Sequence, residues 1–211
     1  MWYISDMTAK HIYLIAKELP GVMMVTAEEM IALGKSRSDC HPTNIDTLVN
    51  TVRHPDEGDV VECGAYRCGA TIAMAAAAPD RHIFAFDTFG GLPYTEKEGF
   101  VNFAETNFEE IKSVTDRFPN ITLIRGRHED TVPNFPARPL ALLFMDSDHY
   151  GSHVVCLKHF WPMLIHGGLA VFHDIAFAGV QQAIDEHIPK NEIFTSGRFE
   201  SSQNMGYVIK I

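Results

Sequence analysis

The feature that most constrains the fold is a series of short apolar runs that end in acidic or polar residues. Four of them are VVE at 60–62, HIFAFD at 82–87, LALLFMD at 140–146 and LAVFHD at 169–174. The segments between these runs have helical periodicity or are rich in alanine. Strands that alternate with helices in this way predict an α/β fold, doubly wound, with a mostly parallel sheet covered on both faces.

The remaining elements follow the same alternation. Helices are predicted at 7–19, 27–34, 45–53, 70–78, 103–118, 151–164 and 179–188, and a further strand at 121–126. Thr43 or Asn44 is expected to cap the helix at 45–53, and Gly167-Gly168 to end the segment after the helix at 151–164. Strands at 192–195 and 205–211 are expected to form an antiparallel pair. The chain is divided into an N-terminal helical cap or lid, 1–56, and a main domain, 57–211.

Charge and composition favour a protein that acts on small molecules. The 211 residues carry a formal charge of −10, which is unfavourable for binding nucleic acid, and RGR at 125–127 is the densest basic run. No apolar run approaches the roughly 20 residues that a membrane-spanning helix needs, so no membrane partner is expected. The four cysteines lack zinc-ribbon or disulfide spacing and are expected to be reduced thiols in a cytoplasmic protein.

A glycine turn follows the first predicted strand, in VVECGAYRCGA at 60–70. Gly64 allows a tight turn that brings backbone N–H groups toward a ligand. The run is not GxGxxG, because Tyr66 and its neighbours stand where a dinucleotide site needs glycine. Asp87 lies 25 positions after Glu62 and is suited to accept hydrogen bonds from two ribose hydroxyls. The pattern fits any adenosine ligand, and it also fits a plain tight turn.

A second group of polar residues lies in FMDSDHY at 144–150 and FHD at 172–174. Asp146 and Asp174 end neighbouring predicted strands, so their carboxylates can converge and hold Mg²⁺ or Mn²⁺. An imidazole from His173 would shift the preference toward Mn²⁺, Fe²⁺ or Zn²⁺. His149 is the first candidate for a general base and Asp148 the second. The chain has eleven histidines, so His149 and His173 could also be packed or exposed residues without a role.

These motifs, in their order, resemble the macrocin O-methyltransferase group of class I methyltransferases. The resemblance covers roughly residues 57 to 188 and is carried by VECGAYRCGA, FDTFGGLP, RGRHEDTVP, FMDSDHYGS and LAVFHDI. It implies a Rossmann-like, seven-stranded, mostly parallel sheet with the last strand antiparallel, preceded by short N-terminal helices. It also implies S-adenosylmethionine as methyl donor, usually a divalent metal such as Mg²⁺ or Mn²⁺, and hydroxyl acceptors on sugars of natural products. Such enzymes are often homodimers.

The resemblance implies roles for single residues. It places Glu62, Gly64 and Tyr66 beside the cofactor, the first two near its methionine half. Asp87 would take the ribose, with Thr88 and Phe89 beside it, and His128 and Glu129 would lie near the adenine. Asp146 would touch the cofactor and hold the metal with His173 and Asp174. The family usually has glycine where this chain has Cys68, and often Asp-Asp where it has His173-Asp174.

The acceptor pocket is expected to involve the N-terminal helices and the loop from Gly90 to Gly99. Aromatic residues in these segments could stack on a ring or simply cover the sheet edge, namely Trp2, Tyr3, Tyr13, Tyr94, Phe100 and Phe103. Two other functions remain open from the residues: an NAD-dependent oxidoreductase of similar fold, and a catalytically silent domain that binds S-adenosylmethionine.

Overall fold

The computed structural model describes residues 26–53, 57–91, 103, 105–202 and 204–211. The strands are β1 (Asp59–Cys63), β2 (Ile83–Asp87), β3 (Ile121–Arg125), β4 (Leu140–Met145), β5 (Leu164–Phe172), β6 (Ile193–Arg198) and β7 (Gly206–Lys210). The α-helices are α1 (Ala27–Arg37), α2 (Pro42–Val52), α3 (Gly69–Ala77), α4 (Phe108–Thr115), α5 (His128–Thr131), α6 (Tyr150–Phe160) and α7 (Ala178–His187). Short 3₁₀ helices cover Val132–Asn134, Trp161–Met163 and Lys190–Glu192.

One seven-stranded sheet organises the described residues, in the order β3-β2-β1-β4-β5-β7-β6. Strands β1 to β5 pair in parallel, whereas β7 pairs antiparallel with both β5 and β6. This confirms the predicted fold class. The strand order reverses between β1 and β4, and ligands of such sheets bind outside the carboxyl ends of the strands at this point.

Helix α2 belongs to the hydrophobic core on one face of the sheet. Ile45, Leu48 and Val52 are buried with Val60 of β1 and Ile72 of α3 in one apolar cluster. The described part of the segment 1–56 therefore packs as part of the main body. The division of the chain at residue 56 is a prediction that the structure does not test, since the residues at 54–56 lie outside the described ones.

The predicted cap of α2 is wrong. The helix begins at Pro42, and the His41 side chain accepts from Thr43 N. Proline favours the first helical position because it lacks an N–H that would have no partner there. Asn44, one of the two predicted caps, lies inside the helix and is 1% exposed.

Strand β5 begins earlier than expected. The predicted helix at 151–164 ends at Phe160, and Gly167 and Gly168 lie inside the strand. Leu140 of β4 pairs with Leu164, while Leu142 pairs with Leu169, so the extra residues of β5 form a bulge. Gly167 has φ +82 there, a conformation that glycine adopts without strain. The glycines therefore shape a strand where the sequence suggested a stop.

Several predictions fall outside the described residues. They include the helix at 7–19, most of the loop from Gly90 to Gly99, and the aromatic residues Trp2, Tyr3, Tyr13, Tyr94 and Phe100. Among the described residues, helices that are both long and apolar enough to span a bilayer were not found.

Candidate active site

A cleft lies at the carboxyl ends of β1, β2, β4 and β5, where the strand order reverses. Its volume is about 1000 Å³ when the open space at its mouth is included. Seven acidic residues line it, and five of them, Glu62, Asp87, Asp146, Asp148 and Asp174, lie at strand ends or in the turns directly after them. The acidic strand ends that the sequence singled out therefore face one cleft.

The turn after β1 places backbone very close to the end of β4. Gly64 has φ +93, and a Cβ at this position would lie 2.0 Å from the Asp146 carbonyl oxygen. No other residue fits there. Tyr66 and Cys68 also have positive φ, at +49 and +59. Cys68 is buried at the start of α3 in the left-handed conformation, which glycine adopts more readily than other residues.

Asp87, at the end of β2, is held by the backbone of two loops. Tyr66 N donates to its Oδ2 at 2.8 Å, and Phe89 N donates to its Oδ1 at 2.7 Å. The carboxylate is thereby fixed at the cleft, with lone pairs left for further donors. Thr88 also lines the cleft, but the Phe89 side chain is buried in the core against Phe108. Phe89 contributes to the site through its N–H, and its place beside a cofactor stays a prediction.

Glu62 is a buried carboxyl group at the end of β1, with 1% of its surface exposed. Burial raises its pKa to about 8, although the Thr71 hydroxyl donates to it and favours the charged form. Nearby Asp146 and Asp87 raise the pKa further. A cationic ligand in the cleft would reverse this effect, because it would stabilise the carboxylate.

His128 and Glu129 both line the cleft, and their place near an adenine stays a prediction. His128 is 8% exposed and lies at the start of α5. Burial alone would lower the pKa of this imidazole, but the neighbouring Cys156 thiol and Asp87 raise it to about 9. Burial and sulfur contact make His128 a rigid part of the wall.

The structure brings the predicted metal ligands Asp146, His173 and Asp174 close together, and Asp148, predicted as a possible base, lies with them. Single oxygens of Asp146, Asp148 and Asp174 lie within 4.8 Å of one another. Nδ1 of His173 lies 2.9 Å from Asp146 Oδ1 and 3.2 Å from Asp174 Oδ2. Burial first and then Asp146 raise the pKa of Asp148 to about 7. Burial alone would lower the pKa of His173, but Asp146 and Asp174 raise it. The imidazolium offsets part of the crowded negative charge, and a divalent cation could take over that part.

The two predicted general bases lie next to each other at the turn between β4 and α6. Asp148 has φ +58 and lines the cleft. His149 is the N-cap residue of α6 and is half-buried, and the described residues that line the cleft do not include it. The structure therefore brings Asp148 into the cleft directly and places His149 immediately behind it.

Sequence reasoning missed the contribution of the segment between α1 and α2. Ser38, Asp39 and Cys40 line the cleft, and Cys40 Sγ donates to Asp146 Oδ2 at 3.2 Å. Asn44 of α2 lies 3.0 Å from His173 Nε2. These residues stand in a polar stretch more than 100 positions before their partners, and no local pattern links the two. Phe103, one of the aromatic candidates, also lines the cleft and packs against Tyr66 with ring centroids 5.0 Å apart.

Known proteins match the chain over most of its length. The family model described as Macrocin-O-methyltransferase (TylF) matches residues 25–196. Mycinamicin III 3''-O-methyltransferase from Micromonospora griseorubida is 25% identical over 205 residues, which cover 81% of each chain.

A second curated relative carries a rhamnosyl group in its name. It is 8-demethyl-8-(2,3-dimethoxy-alpha-L-rhamnosyl)-tetracenomycin-C 4'-O-methyltransferase from Streptomyces olivaceus, 25% identical over 150 residues. The match covers 62% of this chain and 58% of that protein. Among solved structures, the calicheamicin methyltransferase CalS11 has a TM-score of 0.69 at 20% identity, over 96% of this chain and 91% of that one, a likeness of fold.

Proposed function

The chain belongs to the macrocin O-methyltransferase family, and from this premise we propose that it transfers the methyl group of S-adenosylmethionine to a hydroxyl group of a sugar on a natural product. The family match at 25–196 spans the whole cleft. The observation that carries the proposal is the convergence of the carboxylates at or just after the strand ends, Glu62, Asp87, Asp146, Asp148 and Asp174, in one cleft at the reversal of strand order.

The residues of the cleft fit the proposed cofactor. Asp87 Oδ2 has a lone pair free, and Oδ1 gains one when the Thr88 hydroxyl donates to Gly91 O instead, so Asp87 can accept from two ribose hydroxyls. Glu62 offers a negative charge to the cationic methionine half, and this charge would offset the penalty of burial. His128 and Glu129 bound the opposite end, where the adenine would lie.

A divalent ion fits the carboxylates of Asp146, Asp148 and Asp174. Oxygen ligands favour Mg²⁺ or Mn²⁺, and a cation would relieve the repulsion that raises the pKa of Asp148. When bound, such an ion would supply a positive charge that orients the acceptor hydroxyl and lowers its pKa.

Little covalent chemistry is required of the protein itself. The donor supplies an activated methyl group, so the chain's own residues have to orient the acceptor, exclude water and take up the hydroxyl proton. We assign the uptake of this proton to His149, which follows Asp148 at the turn, because imidazole is the side chain best suited to take up a proton near neutral pH. Catalytic hydrogen bonds often tighten only with substrate bound, so the half-buried position of His149 is compatible with this role.

A sugar acceptor is suggested by the relatives. One of them bears the name of a rhamnosyl-tetracenomycin methyltransferase. A rhamnosylated tetracenomycin without the 4'-O-methyl group is therefore a reasonable first probe. Transfer of a labelled methyl group to this probe, with and without Mg²⁺ or Mn²⁺, is expected to require the ion. Calorimetry should show binding of S-adenosylhomocysteine and none of NAD. Tight binding of NAD without the methyl donor would contradict the proposal.

Single substitutions test the proposed metal ligands and the proposed general base independently. Asp146→Ala should retain cofactor binding but lose transfer, because it removes the carboxylate at the centre of the metal cluster. His149→Gln should lower the rate by about 10²-fold at neutral pH and leave the metal requirement unchanged. Asp148→Asn should instead raise the Mn²⁺ concentration needed for half-maximal rate. A loss under threefold for His149→Gln would exclude it as the base, and full activity of Asp146→Ala would show that the chemistry lies elsewhere.

A further inference from the structure

Cys40 is fixed at the edge of the acidic cluster by the packing of the segment that carries it. Its N–H donates to Ser38 Oγ at 3.1 Å. Ser38 in turn lies so close to the start of α3 that a Cβ on Gly69 would come within 2.4 Å of its backbone nitrogen. The segment is therefore pressed against the main body, and the Cys40 Sγ is held 3.2 Å from Asp146 Oδ2.

His173 directs one ring nitrogen at the same carboxylate. Its Nδ1 lies 2.9 Å from Asp146 Oδ1, buried and without a well-formed hydrogen bond. Its Nε2 lies 3.0 Å from the amide of Asn44. The Asn44 Nδ2 atom faces Nε2, so ligation through Nδ1 requires the Asn44 amide to turn over; its oxygen then accepts from Nε2–H, and the Nδ1 lone pair is left for a metal. Histidine ligands in metal sites are commonly oriented in this manner by a polar partner behind the ring.

A thiol, an imidazole and a carboxylate thus converge. Their ligand atoms, from Cys40, Asp146 and His173, lie within 4.8 Å of one another. Tetrahedral zinc, with bonds of about 2.0–2.3 Å, sets its ligands roughly 3.5 Å apart, so small side-chain movements would close the site. Sulfur and nitrogen ligands select Zn²⁺ over Mg²⁺, and three protein ligands leave a fourth position open.

We propose that Cys40, Asp146 and His173 form a zinc site that overlaps the oxygen-ligand site of Asp146, Asp148 and Asp174. The two sites share Asp146, so that occupation of one excludes the other. Zinc would also tie the segment between α1 and α2 to the ends of β4 and β5. The competition rests on the proposed function, whereas zinc binding itself does not.

Calorimetry on the full-length, metal-free protein, with Zn²⁺ alone as the probe, tests the site directly. The wild type should bind one Zn²⁺, and Cys40→Ser should weaken binding at least tenfold. Cys68→Gly is the matched control, because glycine suits the left-handed conformation there and a different thiol is removed. This variant should bind Zn²⁺ as the wild type does. Unchanged affinity in Cys40→Ser, or equal losses in both variants, would overturn the proposal.

Cobalt gives a readout of the sulfur bond that does not depend on activity. Co²⁺ bound to the wild type and to Cys68→Gly should show a thiolate charge-transfer band in the near ultraviolet, and Cys40→Ser should lack it. A band that persists in Cys40→Ser would refute the assignment. Circular dichroism of each variant shows that a lost band does not come from unfolding.

Asp148→Asn and Cys40→Ser, compared with each other, distinguish failure of the zinc site from failure of the proposed oxygen site. Asp148→Asn should keep Zn²⁺ affinity and lose Mn²⁺ affinity, and Cys40→Ser should do the reverse. Zn²⁺ binding that survives in Asp148→Asn supports the zinc site even when Mn²⁺ does not bind to any variant. Parallel loss of Zn²⁺ in Asp148→Asn and Cys40→Ser would argue against two separate ligand sets.

Discussion

At the scale of single residues, the cleft depends on groups whose surroundings are unusual for their type. Gly64 leaves no room for a side chain, Asp87 is bound by two backbone N–H groups, and Glu62 is a carboxyl group buried under the site. Each was visible in the sequence as a residue type at a strand end. Their burial and their partners were not visible, because both depend on loops that follow other strands.

Glu62 is expected to make cofactor binding depend on pH. Its pKa is raised to about 8, so in the ligand-free protein the stability contributed by this group falls as the pH rises from about 4.5 toward about 8. The cationic methionine half of S-adenosylmethionine favours the carboxylate, so affinity should increase at least tenfold between about pH 6 and about pH 8 and then level off. Calorimetry across this pH range measures the affinity for S-adenosylmethionine.

Glu62→Gln provides the control, because the ligand's own amino group also titrates. The variant should bind more weakly at about pH 8 and should have a flatter profile than the wild type. Identical pH profiles for the two proteins would show that Glu62 does not face the charged part of the cofactor.

At the scale of elements, α2 has two tasks. One face contributes Ile45, Leu48 and Val52 to the core, and its first turn places Asn44 against His173. The periodicity of the sequence identified the apolar face correctly. It could not assign the second task, which depends on the position of β5 more than 100 residues later.

Helix α2 is expected to be essential for stability. Leu48 is fully buried, so Leu48→Ala should lower the free energy of unfolding by about 2–5 kcal/mol, through lost apolar contact and the cavity that remains. Asn50→Ala, an exposed substitution on the same helix, should change it by less than about 0.5 kcal/mol. Urea denaturation measures both. A loss below about 1 kcal/mol for Leu48→Ala would instead favour a detachable lid, as the division at residue 56 implies.

At the scale of the whole molecule, the reversal of strand order between β1 and β4 creates the cleft. The loops after β1, β2, β4 and β5 all contribute to it, together with the segment between α1 and α2. A ligand in this cleft contacts both halves of the sheet, so binding should stabilise the fold as a unit.

S-adenosylhomocysteine should therefore raise the melting temperature. At a concentration about a hundredfold above the dissociation constant it adds about 2.7 kcal/mol, which corresponds to roughly 5–11 °C for a chain of this size. NAD at the same concentration should shift the melting temperature by less than about 1 °C. Differential scanning calorimetry would contradict the proposed cofactor if the two ligands behaved alike, or if NAD gave the larger shift.

The sequence by itself determined the class of fold, the acidic strand ends and the glycine turn, because these follow from local periodicity and from the needs of a single turn. The sequence did not predict the irregular start of β5 with Gly167-Gly168, which depends on strand pairing, or the residue that caps α2. Only the tertiary structure decided that Phe89 turns into the core and that Cys40 and Asn44 reach the strand ends. These contacts join segments that are distant in the chain, and packing across the sheet brings them together.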